Sequence, residues 1–254
     1  MGQLLHKLKN KIRLPAPLFK RLNRSKPDFE CPICGYQGPF RDFDSFAGRR
    51  LNVECPQCGA LERHRVQYLV VMEILQGLDV SKLKMLHFAP ELFFRKIFAS
   101  RFGRYETADL CMKGVDYHVD LQKLPFEDAT YDFIFASHVL EHVPDDKKAI
   151  QEIRRILKPG GLAVLPVPIV AEKTIEYPEA NPHEAYHMRA PGFDYHEKFK
   201  PFFARVETRT SESLPEKFQP FVYEDRSGWP TREMPLRRPM QGKRHIDIVP
   251  ICRA

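Results

Sequence analysis

The sequence predicts an α/β protein, a mostly parallel sheet wound with helices and preceded by a small cysteine-rich metal module. Three observations carry that expectation. From Lys84 onward, short apolar runs alternate with helical patterns, as in βαβ units. Ahead of that region, four of the 6 cysteines fall into two copies of Cys-Pro-x-Cys-Gly. The 254 residues, 43% hydrophobic and 29% charged, suffice for one large core with an appendage. The same figures exclude collagen-like, disordered and disulfide-scaffold chains, and no apolar run approaches the ~20 residues that span a bilayer.

Residues 1–28 form a basic amphipathic tail. Leu4, Leu5, Leu8 and Ile12 share one face of a helical pattern, and Pro15 and Pro17 end it before a second apolar patch of Leu18, Phe19 and Leu22. Residues 1–26 hold eight bases and no acid, and residues 226–254 hold seven bases and two acids. The 199 residues between are acidic, so the overall +7 belongs to the ends. Two readings of residues 1–26 stand open. One is a frayed tail packing its leucines on the body. The other is an interfacial helix drawn to an anionic membrane surface or another polyanion. The apolar run is too short and interrupted for a signal-peptide core, and the expected compartment is the cytoplasm, with peripheral membrane contact under the second reading.

Residues 29–62 form the predicted zinc ribbon. Cys31 and Cys34, then Cys55 and Cys58, are each two residues apart, so a tight turn presents both thiolates of a pair to one ion, and the following Gly permits the turn's left-handed position. Two such knuckles complete a tetrahedral Cys₄ site with no open position, which makes the zinc structural. Residues 60–65, Ala-Leu-Glu-Arg-His-Arg, open a helix to about residue 75. His64 within it is expected to pack between the ribbon and the main domain, since four cysteines already fill the metal site.

The main domain is expected over residues 63–254. Strands are predicted at residues 85–88, 105–110, 115–119, 131–136 and 162–167, with an end strand at 246–251. Helices are predicted at residues 91–101 and 145–157, the latter closed by Lys158-Pro159-Gly160-Gly161. The Phe-rich stretch 193–203 reads as core, and residues 226–244 as a loop or lid.

These elements resemble the class I S-adenosylmethionine-dependent methyltransferases, specifically their type 11 group, with its Rossmann-like sheet. The resemblance rests on Asp120-Leu121-x-x-Leu124-Pro125-Phe126, Tyr131-Asp132-Phe133-Ile134, Ser137-His138-Val139-Leu140-Glu141-His142-Val143 and Leu157-Lys158-Pro159-Gly160-Gly161, in matching order and spacing over about residues 84–210. Leu86-His87-Phe88-Ala89-Pro90-Glu91 is similar to a subgroup that carries an amino-terminal Cys-Pro-x-Cys ribbon ending in a Leu-Glu-Arg-His-Arg-like stretch. The resemblance implies S-adenosylmethionine held by His87, Phe88, Ala89, Pro90, Glu91, Asp109, Leu110, Asp120, Leu121, Ser137 and His138. Asp109 would take the ribose diol, while Asp120 and the Leu121 backbone would take the adenine. The chain departs from the usual Asp-x-Gly-x-Gly first loop, with His87 in place of the acid and Ala89 and Glu91 in place of glycines.

Methyl transfer from a sulfonium asks mainly for positioning, with a base only where the acceptor must lose a proton. His138, just past the fourth strand, is the best-placed pocket residue. Residues 186–195 resemble a subgroup stretch of the form His-Val-Arg-x-Tyr-Gly-x-Asp-Tyr, which makes His187 a second catalytic candidate and sets Arg189 beside it. The leading expectation is a methyltransferase acting at oxygen on a small-molecule or glycan-type acceptor, the glycan part coming from the resemblance. An RNA methyltransferase, for which the acidic middle is poorly suited, and a non-catalytic zinc-ribbon binding protein on a degenerate fold are the alternatives.

Overall fold

A computed structural model describes residues 13–45, 48–225 and 244–254. Residues 1–12, 46–47 and 226–243, and with them the tail's first leucines and nearly all of the expected lid, therefore lie outside the described residues.

The large sheet has seven strands: β1 (Lys84–Phe88), β2 (Arg104–Asp109), β3 (Tyr117–His118), β4 (Tyr131–Ala136), β5 (Leu157–Val164), β6 (Arg205–Thr210) and β7 (Ile248–Arg253). Their spatial order is β6-β7-β5-β4-β1-β2-β3. β1 to β5 pair in parallel, whereas β7 runs antiparallel to both β5 and β6. The period-2 alternation of a strand buried on both faces explains the composition. In β4, Phe133 and Phe135 face one side and Ile134 and Ala136 the other, all buried.

Four α-helices stand among the described residues: α1 (Ala16–Leu22), α2 (Glu62–Leu75), α3 (Leu92–Ala99) and α4 (Asp146–Ile156). On one face, Ile150, Ile153 and Ile156 of α4 cover Leu86, Ile134 and Ala163. On the other, Val66 and Val70 of α2 join Phe94 and Phe98 of α3 over Met85, Phe133, Phe135 and Val164. α4 starts where Asp145 accepts from the Lys148 N–H at 2.9 Å and ends on Arg154 and Arg155, the charge order that suits a helix dipole. α1 begins at Pro15, with Pro17 in its first turn, so these prolines open a helix, their fixed φ being tolerated there.

Several boundaries differ from expectation. The third strand shrinks to Tyr117–His118, because Asp116 Oδ2 accepts from Thr107 N and Oγ1 (2.8 and 2.7 Å) where ladder bonds would continue. β5 begins at Leu157 and carries the 158–161 loop as an irregularity in its pairing with β4. Of the Phe-rich stretch, Phe199 and Phe203 are core, but Phe193 is exposed.

The ribbon is not set off at residue 62. Strands Arg41–Ser45 and Gly48–Glu54 share a four-stranded sheet with Val222–Asp225 and Arg244–His245. Arg65 rivets the junction. Its buried guanidinium donates to the carbonyls of Phe218 (2.7 Å), Val53 (2.8 Å), Ala60 (2.9 Å) and Gln219 (2.9 Å), and it lies 4.5 Å over the Phe40 ring. Beyond β5 an antiparallel arm, Ile175–Asn181 with His187–Ala190, leans on the loop after β4. No described helix is long and apolar enough to cross a membrane.

Candidate functional site

The carboxyl ends of β1, β2 and β4 lie side by side, since Phe88 pairs with Ala108 and with Ala136. That register gathers residues 89–91, 109–110 and 137–138 at one edge. The β2–β3 pairing of Asp109 with His118 brings residues 119–121 to the same rim. In an open α/β sheet this crevice is where ligands bind.

The first loop turns at Ala89, whose φ of +46° is the left-handed conformation that glycine takes most easily. Glu91, the N-cap of α3, stands between two histidines: Oε1 is 4.0 Å from His64 Nε2 and Oε2 is 3.5 Å from His87 Nε2. Asp109 Oδ1 accepts from the backbone N–H groups of Cys111 (2.8 Å) and Met112 (2.7 Å), which leaves its second oxygen for a hydroxyl pair. Leu110 is 70% exposed at the same rim, an apolar surface for a ring. Asp120 is exposed and held by Gln122, while Leu121 is buried, so Leu121 can offer only backbone. Pro90 is buried.

Three of the expected cofactor residues turn away from the crevice. His87 is fully enclosed by Phe94, Phe98, Tyr105 and Phe135, with Nδ1 2.9 Å from the Tyr105 hydroxyl. Burial lowers its pKa against the opposing pull of Glu91. Strand alternation is the reason: His87 shares the α3 face with Met85. Phe88 faces the α4 layer, and the Ser137 hydroxyl is 3.0 Å from Gln67 Oε1 on α2.

His138 stays at the crevice with φ +55°, its N–H bonded to Pro166 O at 2.9 Å and its side chain 22% exposed. Burial, reinforced by the Arg63 charge, holds its ring well below the usual histidine range and therefore neutral at pH 7. The same two causes, in the same order, act on His64, whose Nδ1 accepts from the Leu61 N–H at 3.0 Å and caps α2. Glu141 is pushed up to about 8 by burial, and Asp247 to about 7 by burial and by neighbouring Glu62. Arg63 opposes both of these rises. Arg63 is thus the shared charge of a group made of His64, His138, Glu141 and Asp247, and its Nε is buried without a hydrogen-bond partner among the described residues.

Arg63 and Asp247 escaped the sequence reading, although the 60–65 stretch was visible as a motif. Asp247 carries no local signal, because only the fold returns the chain end to this place. His187 is buried on the arm, its ring 4.7 Å from His142 and edge-on to it. Arg189 is structural: it donates to the carbonyls of Leu140 (2.6 Å), Val143 (2.8 Å) and Pro144 (3.1 Å) and pairs with Glu176 at 2.8 Å.

In the ribbon, the Cys31 and Cys58 sulfurs are 3.7 Å apart and those of Cys34 and Cys55 3.6 Å, with all four within 4.8 Å of one another. Tetrahedral bonds of about 2.3 Å to zinc place sulfurs about 3.8 Å apart, so the four thiols are compatible with a Cys₄ site.

Five parallel strands followed by a reversed β7 between β5 and β6, with the site at the ends of β1, β2 and β4, define the class I S-adenosylmethionine-dependent methyltransferase fold. Residues 77–165 match the family model described as a methyltransferase domain. Demethylmenaquinone methyltransferase of Staphylococcus aureus is 45% identical over 63 residues, 24% of this chain and 25% of that one. An uncharacterized 37.1 kDa transposon protein of Streptomyces fradiae is 40% identical over 67 residues, 26% and 19% respectively. This chain therefore spans a quarter or less of the length of these relatives. An S-adenosylmethionine-dependent methyltransferase structure from Mesorhizobium loti shares the fold at a TM-score of 0.50 and 17% identity, covering 74% of this chain and 98% of that one.

Proposed function

We propose that the protein is an S-adenosylmethionine-dependent methyltransferase acting at an oxygen of a small-molecule or glycan-type acceptor, with a zinc ribbon as a structural arm. The observation that carries the reading is the rim where Ala89, Glu91, Asp109, Leu110, Asp120 and His138 meet at the ends of adjacent parallel strands. The donor set fits the cofactor. Asp109 takes the ribose hydroxyls, Leu110 and the Leu121 backbone take the adenine, and Glu91 takes the amino group. Arg63, whose Nε is buried without a hydrogen-bond partner among the described residues, supplies positive charge for the carboxylate. When bound, the cofactor supplies the electrophilic methyl. His138, neutral at pH 7, lines the approach and can accept a proton from a hydroxyl acceptor. His87 and Ser137 act behind the site, His87 by steadying Glu91 and Ser137 by tying the loop to α2.

The zinc assignment rests on the four converging thiols, and four protein ligands make the ion structural. Residues 1–26 are assigned to contact with an anionic membrane or another polyanion. This rests on the sequence pattern and on Leu18 and Leu22 standing exposed on α1 beside Lys20 and Arg21.

Calorimetric titration of the full chain with S-adenosylmethionine tests the main reading. Wild-type protein should bind, and Asp109→Ala should weaken binding at least tenfold while the far-UV circular dichroism of the fold is kept. Absence of heat at millimolar cofactor would defeat it.

A further inference from the structure

The loop after β4 and the arm meet at a second group of metal-type ligands that neither the cofactor rim nor the ribbon uses. Glu141, His142 and His187 each place one ligand atom within 4.8 Å of the other two. Glu141 is 1% exposed, and neither carboxylate oxygen has a hydrogen-bond partner among the described residues. A buried carboxylate left this way carries a desolvation cost that a neighbouring cation would offset. The nearest facing groups are imidazoles: His142 Nε2 is 3.8 Å from Oε1 and His138 Nδ1 is 3.6 Å from it.

The surroundings hold this set in place. The His142 ring lies edge-on to that of His187, with ring centres 4.7 Å apart, which brings the two imidazoles together on one side of Glu141. Ala185 and Tyr186 adopt successive left-handed conformations (φ +56° and +62°) just before His187, a tight turn that delivers the third ligand. Arg189, two residues on, grips the carbonyls of Leu140, Val143 and Pro144 and locks the arm to the loop that bears Glu141 and His142.

We propose that Glu141, His142 and His187 form a second metal centre, a two-histidine, one-carboxylate site for a divalent transition ion of the zinc class. Two imidazoles and a carboxylate suit Zn²⁺ or Co²⁺, and three protein ligands leave a fourth position for water or a coordinating group of a bound molecule. His142, 41% exposed, is the solvent-facing ligand and marks the entry path. The site differs in kind from the ribbon, which is all thiolate and closed. It stands independently of whether the protein transfers methyl groups.

Metal counting on the full chain decides it. Purified protein is loaded with Zn²⁺, freed of excess by gel filtration and measured by mass spectrometry of the metal, with a parallel Co²⁺ sample read by absorption. Wild type should hold two ions per chain, one giving thiolate charge-transfer bands and one giving only weak visible bands of nitrogen and oxygen ligation. His142→Ala, truncating a surface side chain, and Glu141→Gln should each drop the count to one and erase the weak bands. The thiolate bands should persist and report that each variant is folded. A wild-type count of one, or variants that keep two, would overturn the proposal. Should Glu141→Gln lose the thiolate bands through misfolding, His142→Ala alone decides the matter.

Discussion

Truncating Arg65 tests how the ribbon is joined to the methyltransferase domain. Arg65→Met keeps most of the apolar stem but removes the donors to four carbonyls, those of Phe218, Val53, Ala60 and Gln219, at 2.7–2.9 Å. Ala60 O keeps a second donor in the Cys55 N–H at 2.9 Å, so three acceptors are stranded, and at about 1–1.5 kcal/mol each they give roughly 4 kcal/mol. The stacking over Phe40 adds about 1 kcal/mol. Sparing the guanidinium its own desolvation returns a share, leaving a net loss of about 4 kcal/mol. At roughly 2–4 °C per kcal/mol for a chain of this size, the melting temperature should fall by about 10 °C. Urea unfolding followed by far-UV circular dichroism, with the slope compared between variants, reads the change. Lys82→Met, truncating a side chain that is 80% exposed and paired only with Asp79 on the surface, is the control and should move stability by less than about 1 kcal/mol. An Arg65→Met shift equivalent to less than about 1 kcal/mol, or one equal to that of Lys82→Met, would refute the rivet.

Three further outcomes are expected. Ala89→Gly relieves a left-handed alanine and should stabilise the fold by about 1 kcal/mol in thermal melts, with cofactor binding retained. Asp247 has a folded pKa near 7, above its ordinary value near 4, so its share of stability is full below pH ~4 and is lost as pH rises through 7. Asp247→Asn should flatten that fall, on the order of 2 kcal/mol after discounting for partial exposure, in urea midpoints taken from pH 4 to 8. Cys55→Ser breaks a four-thiolate set and should abolish the ribbon's cobalt–thiolate absorption while α4 and the large sheet keep their far-UV signal.

Where the chain repeats a local rule, sequence and structure agree. The run 131–136 is β4 to the residue, because alternating apolar side chains buried on both faces permit little else. α4 follows from its isoleucine spacing and from Asp145, a cap that needs no distant partner. The four cysteines converge as their spacing demanded. The third strand was overread because Asp116 satisfies Thr107 through its side chain, a contact that no periodicity encodes.

The sequence by itself determined the five parallel strands, the helices between them, the cysteine quartet and the residues that follow β1, β2 and β4, since each carries a local pattern, whereas β6 and the two strands of the arm were not read from it. Only the tertiary structure decided which way those residues face. Pleating turns His87 into an aromatic core while leaving Glu91 at the rim. Long-range packing brings Arg63 and His187 to the loop after β4 and sets Asp247 near Glu62 and Arg63, from three distant stretches of chain. It also builds the ribbon's sheet partly from residues 222–225 and 244–245. Burial and charge proximity exist only once the chain is closed, so the neutral His138 and the buried, unpartnered Glu141 belong to the fold.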